Sequence, residues 1–374
     1  LYHDFLLTGM NTQEIRDTLI NNYYLSEDKA DLLIEVALAE KPFLSYKDRS
    51  VGVYIGIPFC PTRCSYCSFA SNPLGGNKHL VDDYLSSLIK EIKHTFSLIK
   101  DRGINVDTLY IGGGTPTSLN ELQLEKLFKT VSENIKTDDI REYTVEAGRP
   151  DSINESKLKL IKKYGGKRIS INPQTMNDET LKKIGRIHSA QDIKDSFYLA
   201  RKLGFDNINM DMIIGLPGEN VDHVKKTILE IEQLNPDSIT IHTMSIKRAS
   251  KLNEDNYVNE ADKVLDMYNF AASKVKNMGM KPYYMYRQKN MISPLENIGY
   301  SHKGKESIYN IQMISESISI IGLGADSVSK PVYPDENRIE RIANLKDVHE
   351  YIKRIDEVLT RKDKVINMIV ESFN

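Results

Sequence analysis

Val51-Gly52-Val53-Tyr54-Ile55-Gly56-Ile57-Pro58-Phe59-Cys60-Pro61-Thr62-Arg63-Cys64-Ser65-Tyr66-Cys67 is the stretch on which the fold turns. Its first half is short, apolar and β-rich, which predicts a buried strand over 51–57. Its second half holds all 3 cysteines of the chain, spaced C-x3-C-x2-C. An odd count leaves a thiol over from any disulfide pairing. Thiolates packed this closely suit a polynuclear centre. A four-iron cluster normally takes four thiolates, so three leave one iron open to another ligand. A structural zinc site with His79 as fourth ligand is the alternative reading.

Downstream, five more strand-like runs follow at regular spacing: 106–111, 142–146, 168–172, 207–214 and 238–243. Helical periods separate them near 80–101, 120–136, 155–164, 178–203 and 221–234. Short apolar strands alternating with helices predict a parallel α/β sheet. The polar positions fall at strand C-termini: the cysteines, then Gly112-Gly113-Gly114-Thr115-Pro116, Glu146, Gln174, Asp211 and His242. That edge is where parallel α/β folds place their sites. Upstream, Asn11 and Ser26 offer N-caps for two helices in a small appendage, 1–48. Beyond the expected core, 49–250, a third region, 251–374, carries a helix at 258–278, a strand at 317–321 and a charged helical tail from about 342.

The 374 residues are enough for one large domain or two. A formal net charge of −2 gives no electrostatic case for nucleic acid or an anionic membrane surface. No run approaches the ~18 apolar residues of a membrane span, and no signal-peptide pattern is read. Reduced cysteines ready to bind iron point to an oxygen-poor cytoplasm. The sequence opens on Leu1 in what reads as mid-segment, which predicts a preceding portion.

With Tyr66 at the aromatic position of C-x3-C-x-aromatic-C, the cysteine stretch resembles the signature of the radical S-adenosylmethionine (SAM) superfamily. The resemblance implies a partial (β/α)6 barrel and a 4Fe–4S cluster on Cys60, Cys64 and Cys67. It also implies that SAM chelates the open iron through its amino and carboxylate groups. Gly112, Gly113, Gly114 and Thr115 resemble the loop that receives the methionine end of SAM. Glu146, Gln174, Arg186, Asp211 and Tyr54 match polar residues of the SAM pocket in the coproporphyrinogen-oxidase-like branch. Independently, Asp211 is a carboxylate in an apolar strand, costly unless paired, and Arg186 is the expected partner in a structural ion pair.

Glu146-Ala147-Gly148-Arg149-Pro150-Asp151, Ser170-Ile171-Asn172-Pro173-Gln174-Thr175-Met176-Asn177 and Tyr286-Arg287-Gln288-Lys289-Asn290-Met291 read as HemZ-like variants of shared motifs. The implied reaction begins with reductive cleavage of SAM to a 5′-deoxyadenosyl radical. A hydrogen is then taken from the β-carbon of a porphyrinogen propionate, with loss of carbon dioxide and one more electron to leave a vinyl group. A tetrapyrrole substrate and an electron donor such as flavodoxin or ferredoxin are the implied partners. Arg149, Arg287 and Lys289 are candidate clamps for the substrate carboxylates. Phe69 stands where bacterial coproporphyrinogen dehydrogenases carry a further cysteine, as in the related haem-chaperone branch. That branch's tryptophan-containing haem motif has no counterpart in a chain with 0 tryptophans. A haem carrier, a radical SAM methyltransferase and an anaerobic haem-degrading enzyme therefore stay open. His188, His242 and His302 are the histidines weighed as haem ligands, and an ordinary hydrogen-bonded role is expected for each.

Overall fold

The computed structural model describes residues 1–374 except 45–48, 68–71, 247–249, 251–260 and 374. Phe69 and the start of the expected 258–278 helix lie outside the described residues.

All six expected core strands form: β1 (Ser50–Ile57), β2 (Asn105–Gly113), β3 (Glu142–Gly148), β4 (Arg168–Ile171), β5 (Ile208–Ile214) and β6 (Ser238–Thr243). They lie side by side in chain order, each parallel to the next. Three later strands extend the sheet: β7 (Lys281–Tyr286), β8 (Asn297–Ser301) and β9 (Ile320–Leu323). β8 runs antiparallel beside β6, β7 antiparallel beside β8, and β9 parallel beside β1 at the opposite edge. The order is β9-β1-β2-β3-β4-β5-β6-β8-β7. The six parallel βα units form a partial barrel, and the C-terminal third of the chain supplies both of its edges.

The appendage contains α1 (Tyr2–Leu7), α2 (Thr12–Asn21) and α3 (Glu27–Glu40). Asn11 caps α2 in a full capping box with Glu14, whereas the Ser26 side chain makes no cap bond to α3. Tyr2, Ile15, Leu19, Ala30, Ile34 and Ala37 form a small separate core there.

Crossover helices cover the parallel strands: α4 (Val81–Asp101), α5 (Glu121–Asn134), α6 (Glu155–Lys163), α7 (Asp178–Lys183), α8 (Ala190–Lys202) and α9 (Val221–Leu234). α4 buries Tyr84, Leu85, Leu88, Ile92, Phe96 and Ile99 at helical spacing. The single helix expected over 178–203 is two, α7 and α8. Gly185, at φ +80°, breaks the first, and a Ser189/Asp192 capping box starts the second. The intervening loop turns Arg186 and His188 into the protein, where both are buried.

Beyond α10 (Ala261–Asn277), α11 (Ile308–Ser315) packs against β2 and β7. Its first turn is held by the Glu142 carboxylate, which accepts from Ser307 Oγ and the Ile308 N–H. The tail differs from a helix running from 342. A short strand, Ile342–Ala343, precedes α12 (Val348–Lys353) and α13 (Ile355–Glu371). Tail and barrel meet at a buried ion pair, Lys362 on α13 and Glu91 on α4, 3.3 Å apart.

Candidate active site

Parallel pairing of β1 with β2 sets Gly56 beside Gly112 and Ile57 beside Gly113. The cysteine loop and the glycine loop therefore leave the sheet together. The Gly114 N–H donates to Ile57 O at 2.7 Å and the Thr115 N–H to Phe59 O at 2.8 Å. A Cβ on Gly114 would lie 2.5 Å from Phe59 O and 2.9 Å from Cys60 Sγ. Only glycine permits that approach. Thr115 Oγ1 stands 3.6 Å from Cys60 Sγ as a donor.

The two loops bound a cavity of about 520 Å³ at the C-terminal edge of the parallel strands. Cys60, Cys64, Cys67, Tyr66, Gly113, Gly114, Thr115, Glu146, Arg149, Gln174, Arg186 and Asp211 all line it. Burial pushes the Cys60 thiol up to about 11, against the pull of the Thr115 hydroxyl, so a thiolate there calls for a cation beside it. His79, the alternative zinc ligand, is exposed on a short turn and does not line the cavity.

Across from the cysteines, Glu146 accepts from Tyr110 Oη at 2.5 Å. Burial raises its carboxyl to about 7, against the Tyr110 bond, and the nearby Asp211 charge adds to the rise. Gln174 sits in the left-handed region at φ +65°, held by its N–H to Asp211 O at 2.9 Å and by its carbonyl, which accepts from the Ile213 N–H at 3.0 Å.

The expected Arg186–Asp211 pair is not formed. Arg186 donates to Asn172 O at 2.5 Å and to Tyr66 Oη at 3.2 Å, toward the cysteine loop. Asp211 instead takes Asn209 Nδ2 at 2.7 Å and faces His242 Nε2 at 3.7 Å. Burial alone would raise the Asp211 carboxyl, but His242, Asn209 and Thr240 outweigh it and hold it below its ordinary value. The reason is the break between α7 and α8, which turns Arg186 toward Asn172 and the cysteine loop rather than toward Asp211 on β5.

Arg149 lines the cavity but is not free to clamp a substrate. Its guanidinium is shared between Asp151 and the cysteine loop. Arg287 and Lys289 are exposed and stand on either side of Gln288, which lines the cavity, so they belong to its rim. Tyr54 and Gly112 lie behind the wall. Tyr54 stacks on Tyr110 with ring centroids 6.2 Å apart, and a Cβ on Gly112 would meet the Glu146 carboxyl at 3.1 Å. His188 is buried against Asp151 at 3.4 Å, and His302 does not line the cavity. Reading the sequence missed Arg168, Tyr284 and Tyr286 in the lining. The i, i+2 spacing of the two tyrosines in a strand was the available signal. Arg168 opens β4 directly after Lys167 and before Ile169-Ser170-Ile171, with no pattern to mark it.

Residues 54–231 match the Radical SAM superfamily. The oxygen-independent coproporphyrinogen-III oxidase-like protein HemZ of Bacillus subtilis is 40% identical, across 99% of this chain and 75% of that one. The chain belongs to this radical SAM family. Heme chaperone HemW of Bacillus subtilis is 33% identical, across 73% of this chain and 69% of its own length. The structure of coproporphyrinogen III oxidase (HemN) from Escherichia coli superposes with a TM-score of 0.68 at 23% identity, covering 86% of this chain and 72% of that one. The fold is thus shared with HemN.

Membership in the radical SAM family implies a 4Fe–4S cluster and SAM, and the lining fits both. Cys60 and Cys64 each have a hydrogen-bond donor aimed at sulfur, from Thr115 and Arg149, as cluster thiolates commonly do. Five buried atoms of lining residues, Arg168 Nε, Asn172 Oδ1, Gln174 Oε1, Arg186 Nε and Thr243 Oγ1, have no hydrogen-bond partner among the described residues. Each unpaired atom costs about 1–3 kcal/mol, so their gathering around one cavity suits a polar ligand that pairs them. Among the described residues, no helix is long and apolar enough to cross a membrane.

Proposed function

We propose that this radical SAM protein oxidatively decarboxylates the propionates of coproporphyrinogen III to vinyl groups. In each conversion the propionate loses a hydrogen atom from its β-carbon, one further electron and carbon dioxide. The observation that carries the reading is the single cavity bounded by the three cysteines on one side and by Glu146, Gln174, Arg186 and Asp211 on the other. When bound, the cluster and SAM supply the hydrogen-abstracting radical, which is the cofactor's own chemistry. The chain holds and orients. Cys60, Cys64 and Cys67 would hold the cluster, and Arg186 fixes Tyr66 within the loop that carries them. The glycine loop, whose Gly114 and Thr115 N–H groups are bonded to the cysteine loop, would shape the wall against SAM, and the buried carboxylates of Glu146 and Asp211 would accept from its hydroxyl and ammonium groups.

The region 251–374 forms the substrate side in this reading. Tyr284, Tyr286, Met313 and Ile314 give the cavity an aromatic and apolar wall, with the amides of Gln288 and Asn310 beside it, and such a wall suits a flat tetrapyrrole and excludes water. Arg287 and Lys289 at the rim meet the outer carboxylates. The electrons come from a small redox protein such as flavodoxin or ferredoxin, in an oxygen-poor cytoplasm. The similarity to HemN-type oxidases along most of the chain supports this choice, as the Salmonella typhimurium enzyme is 26% identical across 93% of this chain.

A haem carrier is the second reading, favoured by the 33% identity to HemW and by Phe69 in place of a further cysteine. His242 weighs against it. The ring faces Asp211 and Tyr286 Oη, at 3.7 and 3.3 Å, and so is not free to bind iron. The test is anaerobic incubation of reconstituted protein with SAM, a reductant and coproporphyrinogen, read by mass spectrometry. Loss of carbon dioxide from the substrate supports the oxidase. Tight haem uptake with no product overturns it in favour of the carrier.

A further inference from the structure

Arg149 follows β3 and is 3% exposed. Its Nε and Nη2 donate to the two oxygens of Asp151 at 3.0 and 2.8 Å. With that face of the guanidinium engaged, Nη1 points at the cysteine loop. There it donates to Thr62 O at 3.0 Å, to Thr62 Oγ1 at 2.9 Å, and toward Cys64 Sγ at 3.8 Å. The loop is tied from a second side, since Thr62 Oγ1 donates to Gly185 O at 2.8 Å and the Ser65 N–H to Ile184 O at 3.0 Å. His188, on that same segment, returns to Asp151 Oδ1 at 3.4 Å. One carboxylate therefore joins the β3 loop, the segment before α8 and, through Arg149, the cysteine loop. Arg186 faces the same Cys64 sulfur from the second segment.

We propose that Arg149, aimed by Asp151, is a positioning residue for Cys64 that raises the reduction potential of the cluster held there. The assignment rests on the cluster reading above. A guanidinium charge and an N–H directed at a ligating sulfur favour the more negative, reduced state, and net charge and hydrogen bonds to sulfur are what set such potentials. The planar fork matters as well as the charge. A lysine supplies a cation but cannot hold both carboxylate oxygens and the loop in fixed directions. This also accounts for an arginine at the edge of the cavity whose carboxylate-binding face is already taken by Asp151.

The experiment is anaerobic reconstitution of wild type, R149M, R149K and D151N. Iron and sulfide content are measured first, then the midpoint potential by redox titration followed by electron paramagnetic resonance. R149M is expected to shift the potential negative and to change the signal of the reduced cluster, with R149K between it and wild type. D151N leaves the guanidinium but frees its aim, and is expected to lower iron content and shift the potential the same way by less. Loaded R149M and R149K with the wild-type potential and signal overturn the proposal. If R149M fails to load, R149K decides: a wild-type potential there overturns it equally. A wild-type chain that takes up neither iron nor sulfide overturns the cluster reading itself, a result distinct from an unchanged potential in loaded variants.

Discussion

Replacing Gly114 by alanine tests whether the seam between the cysteine and glycine loops holds the site together. Gly114 is not in the left-handed region, so the change adds no backbone strain and acts through space alone. The new Cβ would lie 2.5 Å from Phe59 O, 2.9 Å from Cys60 Sγ and 3.0 Å from Ile57 O. Comfortable contact needs about 3.5 Å, so the loops must part by roughly 1 Å. Two of those neighbours are backbone and the third is the sulfur of the buried Cys60 side chain, so none has room to swing aside.

Overpacking of this kind costs about 1–3 kcal/mol. Parting the loops also endangers the Gly114–Ile57 and Thr115–Phe59 bonds, and one lost bond adds about 1 kcal/mol. The sum is about 2–4 kcal/mol. For a chain of 374 residues, with an unfolding entropy of roughly 0.8 kcal/mol per kelvin, that lowers Tm by about 3–5 °C. The assay is thermal unfolding of the unloaded chain, with iron and sulfide content after anaerobic loading. Gly75, around which a Cβ meets nothing within 4 Å, provides the control G75A, expected to keep wild-type loading. G114A with a wild-type Tm and full iron content would refute the steric reasoning.

Three further outcomes are expected. Glu146 has a folded-state pKa raised from 4.5 to about 7, chiefly by burial. Its stabilising contribution is therefore full below pH 4.5 and lost as pH rises through 7. Denaturant titration of unloaded protein should show wild type losing up to about 3 kcal/mol relative to E146Q across that window, and parallel pH profiles would contradict it. Lys362 is fully buried, bonded to Gly322 O at 2.6 Å and Asn344 Oδ1 at 2.9 Å beside Glu91. K362M should cost about 3–5 kcal/mol, and E91L/K362M should recover much of it. A double variant no better than the single one would show that the charge pair is not the cause. R287A removes an exposed rim charge and should weaken tetrapyrrole binding only about 2–5-fold, more at low salt, with SAM cleavage unchanged. Binding identical to wild type at low salt would remove Arg287 from the rim.

Where sequence periodicity is set by burial, the fold was legible in advance. Strands β1 to β6 are apolar because both faces of a parallel sheet are covered, and all six appear where that pattern places them. The helix over 178–203 was misread because its two halves share an apolar period. Gly185 and the Ser189/Asp192 box were the only local signs of the break. Among candidate site residues, those on strand ends and in the cysteine spacing line one cavity, except Gly112, which lies behind its wall. The partners of the arginines did not follow. Arg149 and Arg186 both turn to the cysteine loop, and Arg186 turns away from Asp211.

The amino-acid sequence alone determined the parallel sheet, the edge of it where polar residues gather, and the three thiols that face one cavity. These follow from short-range rules, the alternation of buried strands and helices and the spacing of ligands along one loop. Tertiary structure alone decided which charge meets which, because a long side chain reaches partners far away in sequence and three loops compete for each one. Asp151 taking Arg149, His242 taking the place expected of Arg186, and Arg168 entering the cavity wall are all results of that competition. No pattern along the chain encodes it.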